Sequence, residues 1–244
     1  MRYIARLDLK SDYLIKSIRY EGLRNLGKPE KYAKKYFESG ITEILLIDNV
    51  ASLYRRDPSY DIIKKVSDNI LVPLIFCGGL RTLKNVEKVF EAGSDKIALN
   101  TILFENKSLI NQVAEKFGQQ SVLASIEAKK TKNGSWECYC YNGRERTQID
   151  VIDWAQEVES LGVGEILLSS VDFDGTHLGF DIELARNVVD AVNIPVVVNS
   201  GAGSIKDVKL LLEKINPSGV SVGSALHYKN LTTNELIKLR TRNE

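Results

Sequence analysis

ITEILLIDNVA (residues 41–51) returns 122 residues further on as VGEILLSSVDF (163–173), and VPLIFCGGLRTLKNVEKVF (72–90) returns at the same offset as IPVVVNSGAGSIKDVKLLL (194–212). One constant shift over two separate blocks marks an internal duplication. Each of these four stretches carries a short apolar run, and four more such runs follow the same rhythm. The full set is YIARLDL (3–9), EILLIDN (43–49), VPLIFCG (72–78), KIALN (96–100), SVLASIEA (121–128), EILLSSV (165–171), IPVVVNS (194–200) and GVSVGS (219–224). Continuous apolar runs suit parallel strands buried on both faces.

Between the runs lie stretches with helical periodicity, such as PEKYAKKYFESG (29–40), TLKNVEKVFEAG (82–93), VIDWAQEVESLG (151–162) and IKDVKLLLEKI (205–215). Gly40, Gly93 and Gly162 stand where a helix C-terminus favours glycine. Eight alternating units in 244 residues predict an α/β fold, a (β/α)8 TIM barrel of two half-barrels, as one domain over 1–244. A doubly wound open sheet is the rival, and the missing glycine-rich fingerprint after the first strand counts against it. In a closed barrel of two halves, repeat mates lie on opposite sides of the axis.

Lys plus Arg (33) balances Asp plus Glu (32), so no global field draws this chain to nucleic acid or an anionic membrane. No run is long enough to span a bilayer, and MRYIARLDLK lacks the apolar core of a signal peptide, which predicts a cytosolic protein. Cys77, Cys138 and Cys140 form no metal-ligand pattern. They read as free thiols, Cys77 as a small buried residue, and neither a metal nor a cofactor is expected.

Asp8 and Glu127 end the first and fifth strands, where barrel enzymes carry catalytic groups. Facing acids whose proton affinities are pushed apart can serve as acid and base on two sides of one substrate; each could instead pair with Lys10 or Lys129 at the rim. CGGLRT, with Gly78 and Gly79, and NSGAGS, with Gly201 and Gly203, each run into a helix and offer backbone N–H groups to an anion. Asn100 and Thr101 stand beside the first loop, and Gly223 and Ser224 beside the second. DFDGT adds Asp174, Gly175 and Thr176. Two such cradles predict an elongated substrate with a phosphate at each end. At the opposite mouth Arg2, Glu43, Lys96 and Glu165 can form a ring of alternating charge, which in many barrels is merely a stabilising salt-bridge ring.

RLDLK, GGL…ALNT and DFDGT…SGAGS…GS together resemble the cyclase subunit of imidazole glycerol phosphate synthase, motif by motif over nearly the whole chain. The resemblance implies that Asp8 and Glu127 are the acid/base pair and that Lys16, in YLIKS, belongs to a mobile loop over the substrate. It implies that Arg2, Glu43, Lys96 and Glu165 gate ammonia into the barrel, and that Asp95 touches a glutaminase partner, a class I glutamine amidotransferase. The implied substrate is a doubly phosphorylated aminoimidazole carboxamide ribonucleotide, converted with ammonia to imidazole glycerol phosphate and the freed ribonucleotide.

Four positions depart from the family pattern: Glu127 replaces Asp, Arg6 replaces Cys, Cys77 replaces the first of three glycines, and Phe173 replaces Arg. The segment ASLYRRDPSYDII (51–63) is also unusual. That segment resembles paralogues that form an amidine on a nucleotide-linked acetamido sugar for surface polysaccharide, although such paralogues lack the first aspartate and Asp8 is retained here. A non-catalytic partner of a glutaminase and an aldose–ketose isomerase are further alternatives. The four gate residues argue against the isomerase, which needs no ammonia.

Overall fold

The computed structural model describes residues 1–240. The first half of the chain runs β1 (Arg2–Lys10), β2 (Tyr13–Ile18), β3 (Glu21–Gly27), α1 (Pro29–Glu38), β4 (Glu43–Asp48), α2 (Tyr60–Ser67), β5 (Leu74–Cys77), α3 (Leu83–Glu91), β6 (Lys96–Leu99), α4 (Thr101–Glu105) and α5 (Ser108–Phe117). The second half repeats that order: β7 (Val122–Lys130), β8 (Trp136–Cys140), β9 (Glu145–Asp150), α6 (Val151–Ser160), β10 (Glu165–Ser170), α7 (Ile182–Ala191), β11 (Val196–Asn199), α8 (Ile205–Lys214), β12 (Gly219–Val222), α9 (Ser224–His227) and α10 (Thr233–Arg240). Mate strands have equal lengths, nine residues in β1 and β7, six in β4 and β10, and four in the other two pairs.

The eight apolar runs are the eight parallel strands of a closed barrel, in the order β10-β11-β12-β1-β4-β5-β6-β7, with β7 pairing back to β10. Four steps around this ring separate β1 from β7 and β4 from β10, so repeat mates do lie opposite one another. Alternation along the strands divides the apolar residues into two cores. Ile4, Leu45, Ile75, Cys77, Ala98, Leu123, Leu167 and Val197 pack together in the lumen. The outward residues, among them Leu7, Leu46, Phe76, Ala124, Ile166 and Val198, form the larger core beneath the helices.

Helix ends follow local chemistry. Thr82 caps α3 and Asp150 caps α6 through their side chains, and Ser204 with Asp207 forms a capping box on α8. Gly40, Gly93 and Gly162 follow their helices with positive φ, as expected. The long strands β1 and β7 continue past the barrel rim into hairpins, β1 pairing antiparallel with β2 and β7 with β8. Segment 129–148 lies in the hairpin arm made by β7, β8 and β9. Segment 13–27, expected to include a mobile loop at Lys16, is instead a second hairpin, with Lys16 buried in β2 and paired opposite Arg24.

Candidate active site

Each hairpin turns through two successive residues with positive φ, Arg19 (50°) and Tyr20 (65°) in one, Tyr141 (51°) and Asn142 (60°) in the other. The turns bend over the C-terminal mouth of the barrel and meet there. An added Cβ on Gly143 would lie 2.9 Å from the Tyr20 ring.

Asp8 and Glu127 occupy equivalent places below these turns but have unlike surroundings. Asp8 is fully buried and lies beside two cations: Arg6 Nε donates to its Oδ1 at 2.8 Å, and Lys16 Nζ is 3.6 Å from Oδ2. Burial alone would raise its proton affinity, yet the Arg6 and Lys16 charges hold the carboxyl below its ordinary value. Glu127 has no cation in ion-pair contact among the described residues. Its Oε2 accepts the Gly143 N–H at 2.7 Å, and burial outweighs this bond and that from Asn100, pushing the carboxyl up to about 7. Two acids on opposite sides of one mouth therefore hold their protons very differently. Neither uses the rim lysine considered above: Lys129 Nζ donates to the Gly143 carbonyl instead.

The Arg6 guanidinium bridges two acids, Asp8 through Nε and Asp174 through a terminal nitrogen at 2.8 Å, and its face lies 5.5 Å from the Tyr20 ring centre. Lys16 sits between the same acids, 3.8 Å from Asp174 Oδ2. The Oδ2 atoms of both aspartates accept no hydrogen bond. Arg6 and Tyr20 are site residues that sequence reading passed over. Strand alternation was the available signal, since Arg6 stands two positions before Asp8 and must share its face.

The two glycine loops adopt matching backbones. Gly78 and Gly79 have φ of 116° and 70°, and their mates Ser200 and Gly201 have 78° and 101°. Asn100 and Gly223, which start the short helices α4 and α9, share an uncommon conformation, φ −127° and ψ −88° against φ −111° and ψ −91°. Short helices in this position are a recurrent phosphate-binding device of barrels.

The space at the two cradles differs greatly. A cavity of about 210 Å³ is lined by Gly78, Gly79, Asn100, Thr101 and Glu127, with Arg55, Arg81, Tyr141 and Ala98 among its other walls. The second recess holds about 10 Å³ between Arg6, Lys16, Asp174, Gly175, Gly201, Gly223 and Ser224. Thr176 and Gly203 do not reach it. The Thr176 hydroxyl donates to the Phe173 carbonyl within its own turn, and the Gly203 N–H donates to Asp207 at the start of α8. His177, also missed, closes this end: Nε2 is 2.8 Å from the Ser224 hydroxyl.

At the other mouth Arg2 reaches both Glu43, at 3.2 Å, and Glu165, while Lys96 lies 3.4 Å from Glu165. Since β4 and β10 are opposite, one guanidinium spans the barrel floor. The Lys96–Glu43 side has no ion pair within 4.0 Å among the described residues. Asp95, exposed beside Lys96, accepts the Leu74 N–H at 2.8 Å. All three cysteines are free and buried. No group of three or more His, Cys, Asp or Glu among the described residues could hold a metal ion, and no helix there is long and apolar enough to cross a membrane.

Comparison with known proteins finds the family model described as histidine biosynthesis protein matching residues 2–232. Proteins named imidazole glycerol phosphate synthase subunit HisF are similar over most of their length. The one from Legionella pneumophila is 45% identical over 85% of this chain and 98% of its own. That from Pyrococcus furiosus is 40% identical over 99% and 96%, and that from Streptococcus sanguinis is 36% identical over 97% and 94%.

Proposed function

Since the chain belongs to the histidine biosynthesis protein family, as a cyclase subunit of the imidazole glycerol phosphate synthase type, we propose that its barrel mouth joins ammonia to a doubly phosphorylated aminoimidazole carboxamide ribonucleotide, releasing imidazole glycerol phosphate and the freed ribonucleotide. The observation that carries the reading is the unlike pair of acids, Asp8 and Glu127, set between two matched glycine cradles. Glu127, with its carboxyl at about 7, exchanges a proton near neutral pH and serves as the acid/base group. Asp8 stays ionised and serves to steer the N–H groups and the positive charge that arise when ammonia adds to the substrate's carbonyl carbon.

One phosphate occupies the wide cradle at Gly78, Gly79, Asn100 and Thr101. The other takes the narrow one at Gly175, Gly201, Gly223 and Ser224, and must displace Lys16 to enter. That movement frees Oδ2 of Asp8 toward the substrate, because Lys16 Nζ stands 3.6 Å from that oxygen.

Ammonia enters at the opposite end, through Arg2, Glu43, Lys96 and Glu165, from a glutaminase subunit that docks beside Asp95. Lys96, Ala98 and Asn100 alternate along one face of β6 and its extension, so gate, apolar layer and cavity are each about 7 Å apart. An apolar layer passes neutral ammonia and excludes ammonium, whose desolvation is costly.

Purified protein given the doubly phosphorylated ribonucleotide and ammonium salt at alkaline pH should form imidazole glycerol phosphate without any partner. If no product forms under saturating ammonia, the proposed reaction is wrong.

A further inference from the structure

The segment between β4 and α2 contributes nothing to the reading above, yet it forms one wall of the wide cradle. Residues 51–57 fold into a tight turn, with the Arg56 N–H donating to the Ala51 carbonyl at 2.9 Å and the Arg55 N–H to that of Ser52 at 3.2 Å. The turn is bolted to the glycine loop. Arg56 gives two bonds to the buried Asp48 carboxylate, at 2.9 and 3.0 Å. Arg81 donates to the Arg56 carbonyl at 3.0 Å and to Asp57 at 2.6 Å. Gly79 permits this contact, since a Cβ there would stand 2.8 Å from the Arg56 carbonyl.

Two of the three arginines around the cradle are thus spent on carboxylates. Arg55 is the exception. It is exposed, has no carboxylate within 4.0 Å among the described residues, and is held at φ 48°, a strained value for an arginine. It lines the cavity with Gly78, Gly79, Asn100 and Thr101, and its guanidinium stands beside the Tyr141 hydroxyl, which donates to Glu105 at 2.7 Å. With Asp48 and Asp57 paired, Glu105 and Glu127 are the carboxylates left facing the cavity, and an incoming phosphate meets both.

We propose that Arg55 is a substrate-binding residue whose guanidinium exchanges the Tyr141 hydroxyl for the oxygens of the phosphate seated at Gly78, Gly79, Asn100 and Thr101. Backbone N–H groups alone leave a dianion uncompensated next to Glu105; a planar guanidinium supplies charge and two parallel donors. The narrow cradle differs, since its two cations, Arg6 and Lys16, both stand against Asp8 and Asp174. This inference rests on the reading of the wide cradle as a phosphate seat.

Inorganic phosphate tests it on the intact protein. Phosphate can enter the narrow recess, about 10 Å³, only by displacing Lys16, so the part of a calorimetric titration that differs between wild type and Arg55→Ala reads the wide cradle. Arg55→Ala should weaken phosphate binding about tenfold or more, and Arg55→Lys by less, the loss expected for one charge-assisted pair. KM for the doubly phosphorylated substrate should rise in the same ratio with kcat within about twofold, and the thermal midpoint should not move. Phosphate affinity and KM within about twofold of wild type in Arg55→Ala overturn the inference even where wild type turns over. Weakened phosphate binding by a protein that yields no imidazole product leaves the inference standing and removes the reaction proposed above.

Discussion

Glu127 and Asp8 carry the same functional group, and their neighbours alone decide which one holds a proton near neutral pH. Asp8 has Arg6 and Lys16; Glu127 has one backbone N–H, an amide and the cavity wall. Raising the Glu127 carboxyl from its ordinary 4.5 to about 7 has a cost that depends on pH. Below the lower value both folded and unfolded chains are protonated and no cost arises. Above it the unfolded chain ionises freely, so folding loses stability as pH rises, and the loss is complete above about 7. Glu127→Gln removes that loss. Its thermal midpoint should match wild type at about pH 4 and exceed it at about pH 8 by roughly 6–12 °C, from about 3 kcal/mol at 2–4 °C per kcal/mol. An equal difference at both pH values would show that Glu127 is not perturbed. Activity should follow the opposite course, with the variant losing turnover most where wild-type Glu127 still holds its proton.

Repetition at the level of elements explains both what the sequence revealed and what it concealed. The eight strands were legible because parallel strands buried on both faces read as unbroken apolar runs, and the shift of 122 residues joined them into halves. The hairpin of the first half was not legible, since its turn uses Arg19 and Tyr20 where glycine or asparagine would announce it. Its mate does hold that signal, in Asn142 and Gly143, and the duplication could have carried it back. Thr176 and Gly203 were over-read because motif position does not reveal that a hydroxyl or an N–H is already committed to its own turn or helix cap. Glycines in the loops themselves are better founded, and one comparison measures this. Gly201 has φ 101°, and a Cβ would fall 2.0 Å from the Gly179 carbonyl; Gly22 has φ 67° and open space around it. Gly22→Ala should cost about 1–2 kcal/mol, the left-handed penalty alone. Gly201→Ala must also move backbone and should cost at least twice that, with the narrow cradle disrupted. Equal losses in denaturant unfolding would refute the close packing of the NSGAGS loop.

In the function proposed here the whole barrel is a passage, with the acid pair at one mouth, the charged ring at the other and apolar side chains between them. Arg2 is the structural member of the charged floor: it bonds Glu43, Glu165 and both oxygens of Ser218. Lys96 makes one ion pair, to Glu165 at 3.4 Å, and is half-buried, so its loss should cost no more than about 1 kcal/mol of stability. It is therefore the ring member that can swing aside without undoing the floor. Lys96→Ala should leave turnover with ammonium salt near wild type, because ammonia in bulk reaches the upper mouth directly. Turnover driven by glutamine through a glutaminase partner should fall several-fold, since ammonia released beneath the floor then meets a ring that no longer controls its passage. Comparing both assays on one preparation separates gating from folding: equal losses would mean that Lys96 only braces the barrel, and that ammonia takes another route.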